Sequence, residues 1–338
     1  MIDYYLITVP FLIFFSTKIC KKYYFLNSYS GEKHQKFVEK DNVPLIGGAF
    51  ILLSYIYLFS NNFYNYFFYS LLVFLIGILG DLKILKSPLV RLILQSIVVL
   101  LFIYLNKITI ENTRIIILDN FLRLDYLNYF FVLFCMMILI NGSNFIDGLN
   151  TLLIGYYIVV SIFLYKNELI ENINIENEIF LRWIIVLFFI YIFNFFKKIF
   201  LGDNGAYLIG FIYSIFLIKI YENNPSISPF FIVLLLWYPC FEILFSIIRK
   251  FKFKKSPIKP DTNHFHQLFY YFIFKSFKIN KKYINSLTAN LINFFNFIIF
   301  YIGSINATNT EIQIILLAIS IFLYCFFYLK LFLFKYQK

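Results

Sequence analysis

The chain has 338 residues, of which 61% are apolar, 23% aromatic and only 14% charged. An ordinary soluble domain carries about 25% charged residues, so this composition excludes a soluble protein. The net charge of +12 would suggest nucleic-acid binding in a soluble protein, but in a membrane protein the position of each charge matters more than the total, and we expect no nucleic-acid partner.

About eleven apolar segments approach the length of roughly 20 residues that a helix needs to cross the hydrocarbon core of a lipid bilayer. They lie at 3–19, 44–60, 65–81, 88–105, 127–141, 149–165, 179–195, 205–221, 228–248, 284–303 and 311–334. The sequence therefore predicts an all-α, polytopic integral membrane protein with about 11 transmembrane helices, forming one multi-pass domain over residues 1–338. Asp3, rather than a basic residue, precedes the first segment, which indicates a retained helix and not a cleaved signal peptide.

Lysine and arginine are unequally divided between the two sides of this predicted bundle. One side holds only Lys107, Arg114, Arg123, Lys166, Arg182 and Lys219, and the other side holds the rest of the 30 basic residues. Because cytoplasmic loops carry the excess of Lys and Arg, we expect the N-terminus outside and the C-terminus in the cytoplasm. The predicted cytoplasmic side also carries the five polar stretches of the chain, at 27–48, 77–95, 141–152, 197–205 and 249–282.

The first two polar stretches have ordinary structural explanations as well as functional ones. Pro44 and the pair Gly47-Gly48 are typical of a helix start and of close helix packing. Asp81 ends the next predicted helix and, taken alone, could be a surface charge. Arg91 and Gln95 stand four residues apart on the following helix and therefore share a face. A guanidinium beside an amide suits an anionic ligand better than it suits lipid.

The densest polar cluster is the stretch 141–152, which separates two apolar runs. Its six amide, hydroxyl and carboxylate side chains are Asn141, Ser143, Asn144, Asp147, Asn150 and Thr151. Polar groups within a membrane protein are costly, and function is their default explanation. Asn and Asp also cap helix ends. Capping does not require six such residues, so we interpret the stretch as part of a ligand site.

The fourth stretch places Asp203 between two glycines at the start of an apolar helix. It could simply cap that helix. However, Asp81, Asp147 and Asp203 then lie at three helix ends on the same predicted side of the membrane. Two or three carboxylates brought together form the oxygen-only site that Mg²⁺ prefers, and such sites usually serve substrate phosphates. In a membrane this combination suggests a nucleotide diphosphate.

The fifth stretch contains Asp261, His264 and His266 beside several lysines. The His-x-His pair could bind a transition metal, but no Cys or further His accompanies it as a zinc site would require. Neutral donors and lysines fit phosphate oxygens better.

These five stretches, in this order, resemble the polyprenyl-phosphate N-acetylhexosamine-1-phosphate transferases of glycosyltransferase family 4. The most specific motif is Asn141-x-x-Asn144-Phe145-x-Asp147-Gly148-Leu149-Asn150, and Pro257 belongs to the resembling histidine loop. The resemblance implies transfer of a sugar 1-phosphate from a UDP-sugar to undecaprenyl phosphate, with release of UMP. It also implies a place in the bacterial inner membrane and the start of a lipid-linked cell-envelope glycan, such as the O-antigen of lipopolysaccharide; a homodimer is compatible with it.

The resemblance assigns roles to individual residues. Asp203 is the expected ligand of Mg²⁺, with Mn²⁺ as an alternative, and Asp81 and Asp147 are the expected catalytic residues, which orient or deprotonate. The expected contacts to nucleotide or phosphate are Asn141, Asn144, Asn150, Arg91, Gln95, Asp261, His264 and His266.

Three positions depart from the pattern of the family. Gly80 stands where the family usually has the first of two acidic residues, Glu242 where Asp is common, and Gln267 where many relatives have another His. Gly80 leaves open a different class of function, a non-catalytic protein that binds or transports a polyprenyl-linked sugar. A transporter should carry its polar groups near the middle of the membrane, whereas here they lie at one predicted face.

Overall fold

The computed structural model describes residues 4–26, 43–254, 256, 261–277 and 280–336. Residues 27–42 of the first polar stretch and Pro257 of the fifth lie outside these ranges. Within them the chain forms α-helices and no β-strand. The helices are α1 (Tyr4–Tyr23), α2 (Gly47–Leu58), α3 (Ser60–Asp81), α4 (Pro88–Asn106), α5 (Ile116–Leu122), α6 (Asp125–Ile146), α7 (Leu152–Lys166), α8 (Asn177–Phe195), α9 (Gly202–Asn223), α10 (Pro229–Lys252), α11 (Phe265–Ser276), α12 (Lys281–Ile305) and α13 (Thr310–Tyr336).

The all-α membrane fold predicted from the sequence is confirmed, but the number of spans is not. Each predicted apolar segment coincides with a helix, yet in the described part of the chain nine helices are long and apolar enough to cross a membrane. The other two, α2 and α7, have 12 and 15 residues. Helices α5 and α11, with 7 and 12 residues, were not predicted, because both are shorter than a membrane-spanning segment.

Helix α9 lies at the centre of the bundle. In its most apolar stretch 89% of the residues are buried. The corresponding share for α4 is 22%, so most of the surface of α4 is exposed on the outside of the bundle. α9 packs chiefly against α3, α6 and α2. The contact with α3 is very close, since a Cβ added at Gly77 would lie 2.3 Å from the Cα of Asn204. Glycine at this position lets the two backbones meet beside the N-terminus of α9.

The polar stretches gather at one end of the bundle. The C-terminal ends of α3, α6 and α10 meet the N-terminal ends of α4, α7, α9 and α11 there. This arrangement is the one that the sequence predicts for a site at a single membrane face. Which face is cytoplasmic stays a prediction from the charge distribution.

Candidate active site

Asp203 is positioned by a carboxylate from another helix. Gly202 begins α9 with φ of +72°, and a Cβ on it would lie 2.7 Å from Asp81 Oδ2. The carboxylate of Asp81 accepts the backbone N–H groups of Asp203 (2.9 Å) and Asn204 (3.1 Å) and the side-chain amide of Asn204 (2.6 Å). These are the otherwise unpaired donors of a helix N-terminus, where a negative charge is favourable. Asp81 at the end of α3 therefore holds the first turn of α9 in place.

The side chain of Asp203 joins three helices. Its Oδ1 accepts a hydrogen bond of 2.7 Å from the amide of Asn144 on α6, and its Oδ2 pairs with the guanidinium of Arg91 on α4. Arg91 lies in the first turns of α4, which Ser87 caps by accepting from the N–H of Val90. Three of the residues predicted for the site thus meet directly.

Gly80 faces this ion pair. A Cβ at position 80 would lie 2.9 Å from Nη1 of Arg91 and 3.1 Å from Oδ2 of Asp203. The guanidinium therefore fills the space into which any side chain at this position would project. Gly80, which stands in place of an acidic residue of the family pattern, thus packs closely against Arg91.

Asn141 and Gln95 also meet. The amide of Asn141 donates to Gln95 Oε1 at 3.2 Å and to the carbonyl of Met137 at 3.0 Å. Gln95 is completely buried. Because Asn141 lies about one turn before Asn144, the pair extends the polar surface of Asp203 along α4 and α6.

The carboxylate of Asp147 has no hydrogen-bond partner among the described residues. It follows the last residue of α6 and is partly buried. Burial, followed by the charges of Asp203 and Asp81, raises the pKa of Asp147 well above its usual 3.8. The three carboxylates therefore lie close enough for their charges to repel one another, and the guanidinium of Arg91 pairs with one of them, so the site has a formal excess of negative charge.

This donor set fits a divalent cation held together with a substrate. In the described part of the chain no three His, Cys, Asp or Glu side chains come together at metal-ligand spacing. Mg²⁺, however, is usually bound by one or two carboxylates, with substrate phosphates and water completing its shell. Asp203 can supply such a carboxylate, and the excess negative charge would be balanced by the ion.

The turn after Asp147 is held by asparagines of other helices. Thr151 has φ of +69°, and its N–H donates to Asn194 Oδ1 at 2.5 Å. The N–H of Asn150 donates to Asn285 Oδ1 at 2.7 Å. The hydrogen bonds described for Asn150 involve its backbone, so the structure assigns it to this turn, and its ligand role stays a prediction.

The predicted residues of the fifth stretch form a second cluster. Asp261 makes two hydrogen bonds to the guanidinium of Arg249, of 2.7 and 3.2 Å. Burial raises the pKa of Asp261, but the bonds to Arg249 and the neighbouring positive charges outweigh it, so that the pKa lies below its usual 3.8. Nδ1 of His264 lies 3.0 Å from Oε1 of Glu242. Glu242 is 1% exposed, and its Oε2 accepts from the hydroxyl of Tyr324 at 2.7 Å.

His266 packs against the first cluster. It is fully buried, and neither ring nitrogen has a hydrogen-bond partner among the described residues. Burial lowers the pKa of His266 to about 3, so the ring is neutral at pH 7. A Cβ at Gly148 would lie 2.2 Å from Nε2 of His266, and the ring of Phe145 lies 5.2 Å from that of His264. The segment 145–148 therefore contacts both histidines and, through Asp147, also belongs to the carboxylate cluster.

Four residues of the two clusters were not among the predicted site residues: Asn204, Glu242, Arg249 and Tyr324. Glu242 had a signal, since it is an acidic residue inside an apolar run, and Asn204 adjoins Asp203. Arg249 lies within a basic run, and Tyr324 is one of 28 tyrosines. Nothing in their local sequence distinguishes these two from their neighbours.

Parts of the chain are similar to known proteins. The model of the glycosyl transferase family 4 matches residues 63–221. An undecaprenyl-phosphate alpha-N-acetylglucosaminyl 1-phosphate transferase of Thermotoga maritima is 28% identical over 227 residues, which cover 67% of this chain and 68% of the relative. The protein of the same name from Escherichia coli is 24% identical over 279 residues, covering 79% and 75%. A phospho-N-acetylmuramoyl-pentapeptide-transferase of Buchnera aphidicola is 28% identical over 237 residues, covering 60% and 65%.

The matched residues include the whole carboxylate cluster, from Asp81 on α3 to Asp203 on α9. Relatives from several bacteria carry the name of one enzyme over two thirds or more of this chain. The chain is therefore similar to glycosyl transferase family 4 over the segment that carries these carboxylates.

Proposed function

We propose that this protein transfers an N-acetylhexosamine 1-phosphate from a UDP-sugar to undecaprenyl phosphate and releases UMP. The observation that carries the proposal is the junction at Asp203, where Arg91 and Asn144 meet one carboxylate oxygen each while Asp81 fixes the backbone. A site that combines carboxylates, a guanidinium and amides suits phosphoryl transfer, which depends on positioning and charge neutralisation more than on covalent help from the protein.

Each cluster receives a role in this reaction. Asp203 would hold Mg²⁺, or Mn²⁺ in its place, and the bound ion would neutralise the diphosphate of the UDP-sugar. Asp81 orients Asp203, and Asn141, Asn144, Gln95 and Arg91 offer donors to phosphate oxygens. The histidine cluster, with Asp261, contacts the nucleotide beside the segment 145–148.

The bonds that change are those at one phosphorus atom. An oxygen of the acceptor phosphate attacks the sugar-linked phosphorus, a new P–O bond forms, and the bond to UMP breaks with its electron pair leaving on UMP. Because the second pKa of a phosphate monoester is about 6, part of the acceptor carries a proton at neutral pH. Asp147, whose carboxylate is partly buried and bonds to no described residue, is the group to which we assign that proton.

An apolar groove supports a polyprenyl acceptor. A cavity of about 360 Å³ lies between α6, α9 and α10 and is lined almost entirely by apolar side chains. At the end nearer the site it is lined by Leu139, Cys240 and Leu244, and at the other end by Tyr221 and Pro229. An isoprenoid chain in this groove would place its phosphate near the end of α6, where Asp147 lies.

The test is an assay of the purified protein with undecaprenyl phosphate, Mg²⁺ and a panel of UDP-sugars. We expect UMP and a lipid-linked product from a UDP-N-acetylhexosamine. Asp203→Asn should lower the rate at least about 100-fold, the usual effect of removing an electrostatic group from an active site. Asp125→Asn is the matched control, because Asp125 is exposed at the far end of α6.

Near-normal UMP release by Asp203→Asn would refute the assignment of Asp203. No product from any UDP-sugar would favour the non-catalytic binder that Gly80 left open. A transporter is the weaker alternative, since the described polar clusters lie at one end of the bundle rather than midway along it.

A further inference from the structure

One face of α13 is bonded to the histidine cluster. Tyr324, Tyr328 and Lys335 follow one another at intervals of four and seven residues and so share a side of the helix. Tyr324 and Tyr328 are both 3% exposed. The helix lies outside residues 63–221, which the family model matches, so nothing in that match assigns it a role.

The bonds from this face reach the turn at 261–264, which precedes α11. Lys335 Nζ donates to the carbonyl of Thr262 at 2.7 Å and to Oδ1 of Asn263 at 2.9 Å. The hydroxyl of Tyr328 donates to the carbonyl of Asn263 at 3.0 Å. Residues 261–263 lie outside any helix and His264 caps the start of α11, so side chains of other elements contribute to ordering the turn.

A further bond reaches His264 through one shared carboxylate. Oε2 of Glu242 accepts from Tyr324 at 2.7 Å, and Oε1 lies 3.0 Å from Nδ1 of His264. Tyr324 therefore fixes Glu242, and Glu242 fixes the ring of His264. On the other flank of the turn, Arg249 of α10 holds Asp261. The turn is thus held between α10 and α13.

We propose that α13 is the positioning element for the nucleotide: Lys335, Tyr328 and Tyr324 hold the turn at 261–264 so that Asp261 and His264 can engage the UDP-sugar. This inference rests on the proposed function, since the nucleotide is its ligand. The three residues of α13 are positioning residues, because they act through Glu242 and the turn. Removing one should weaken nucleotide binding and leave the acceptor site on α6 and α9 intact.

The same helix offers a matched control. Lys330 is exposed, and its ammonium group lies 4.4 Å from the centre of the Phe326 ring of α13 itself. Lys335→Met and Lys330→Met both remove one lysine amine from α13 and keep an unbranched side chain. They differ in whether that amine bonds to the turn.

The experiment measures amide hydrogen exchange and steady-state kinetics on the full chain in detergent. Without substrate, we expect faster exchange of a peptide covering 261–268 in Lys335→Met and in Tyr328→Phe, and wild-type exchange in Lys330→Met. With UDP-N-acetylglucosamine, Lys335→Met should show a KM for the nucleotide sugar raised about tenfold, as the loss of a charge-assisted hydrogen bond predicts, and Tyr328→Phe a smaller increase, because the lost bond joins neutral groups. The KM for undecaprenyl phosphate should not change. Lys335→Arg, which keeps a cationic donor, should restore much of the affinity.

Two results would overturn the proposal. One is wild-type exchange of 261–268 in both turn variants. The other is an equal effect on kcat and on both KM values without rescue by Lys335→Arg, as general destabilisation would produce. If the wild-type protein neither binds UMP nor uses any UDP-sugar, the proposed function fails and the nucleotide role fails with it, while hydrogen exchange still decides whether α13 holds the turn.

Discussion

At the scale of single residues, the three carboxylates of the site differ in how many hydrogen-bond partners they have. Asp81 is fully engaged by the start of α9, and Asp203 is divided between Arg91 and Asn144. The carboxylate of Asp147 has no hydrogen-bond partner among the described residues. Glycine at position 80 permits the Arg91 contact, because the guanidinium lies where a side chain would begin.

Gly80→Ala is expected to displace Arg91 from Asp203. The added Cβ would lie 2.9 Å from Nη1 of Arg91, and the end of an arginine can move aside without disturbing the helix. We expect about a tenfold loss in kcat/KM, the scale of one charge-assisted hydrogen bond, with little change in thermal stability. UMP release and a melting curve measure the two effects.

Gly80→Asp distinguishes the two classes of function proposed for the chain. If the protein is an enzyme, an aspartate beside Arg91 would compete with Asp203 and lower the rate. Turnover that appears only in Gly80→Asp, with an inactive wild type, would instead identify the natural chain as a non-catalytic binder.

His266 should make stability depend on pH. Its pKa is about 3 in the folded protein, against 6.5 ordinarily. Below the higher value the unfolded chain binds a proton that the folded chain excludes, so stability is lost as the pH falls from about 6.5 toward about 3. The loss should approach roughly 1.4 kcal/mol per pH unit. Thermal unfolding at about pH 7.5 and about pH 5.5 should show a smaller difference for His266→Leu than for the wild type, and equal differences would contradict this prediction.

Sequence patterns predict the polar residues of this site better than they predict the residues that hold it in place. Asp81, Asp203 and Asn144 could be predicted because polar residues between apolar segments have few structural explanations. Asn194 and Tyr324 could not, because Asn194 bonds to Thr151 and Tyr324 to Glu242, each more than 40 residues away in the chain. An isolated polar residue in a helix does not indicate which distant backbone group it satisfies.

At the scale of elements, the turn between α6 and α7 is built by side chains of α8 and α12. Asn194 of α8 accepts from the N–H of Thr151 at 2.5 Å and donates to the carbonyl of Ile199 at 2.9 Å. Asn285 and Asn293 of α12 bond to the backbone of 150–152. This turn follows Asp147 directly, so the position of that carboxylate depends on two helices that carry no predicted catalytic residue.

Asn194→Ala should therefore destabilise the protein and lower its activity. Two buried backbone groups would lose their partner, at a cost of about 1–3 kcal/mol for each. Asn65→Ala on α3 is the control, because Asn65 is exposed. Melting temperatures of the two variants in the same detergent measure the difference. Equal temperatures would mean that water replaces the lost amide.

Gln267, which stands where many relatives have a histidine, contacts the start of a helix. Oε1 of Gln267 lies 3.4 Å from the backbone N of His264, at the start of α11. Glutamine three residues after a helix cap reaches back to the capping residue in many helices. The residue that replaces a histidine of the family thus supports the helix start beside His264.

At the scale of the whole molecule, one helix, α9, is enclosed by the other helices of the bundle. The length and apolarity of the segments predicted most of this architecture, because a bilayer admits few alternatives to helices. They did not predict which helix is central. α9, with Lys219 and Glu222 paired near its end, is less apolar than α4 and yet more buried, since its neighbours are helices.

The orientation of the bundle can be tested with two single cysteines in a variant without the four native ones. Lys86 is exposed between α3 and α4 at the site end, and Glu176 is exposed just before α8 at the other end. The distribution of basic residues predicts that a membrane-impermeant maleimide labels Glu176→Cys, and not Lys86→Cys, in intact spheroplasts. The reverse pattern would place the site outside the cell.

Because α9 is central, the order of synthesis decides when the carboxylate cluster can form. Its main packing partners, α2, α3 and α6, all precede it in the sequence, so they have left the ribosome when α9 emerges. The carboxylate cluster can therefore form during translation. The turn at 261–264 must wait for α13, and a nascent chain released before that helix is made would carry the carboxylates without the hydrogen bonds from Tyr328 and Lys335 to the turn.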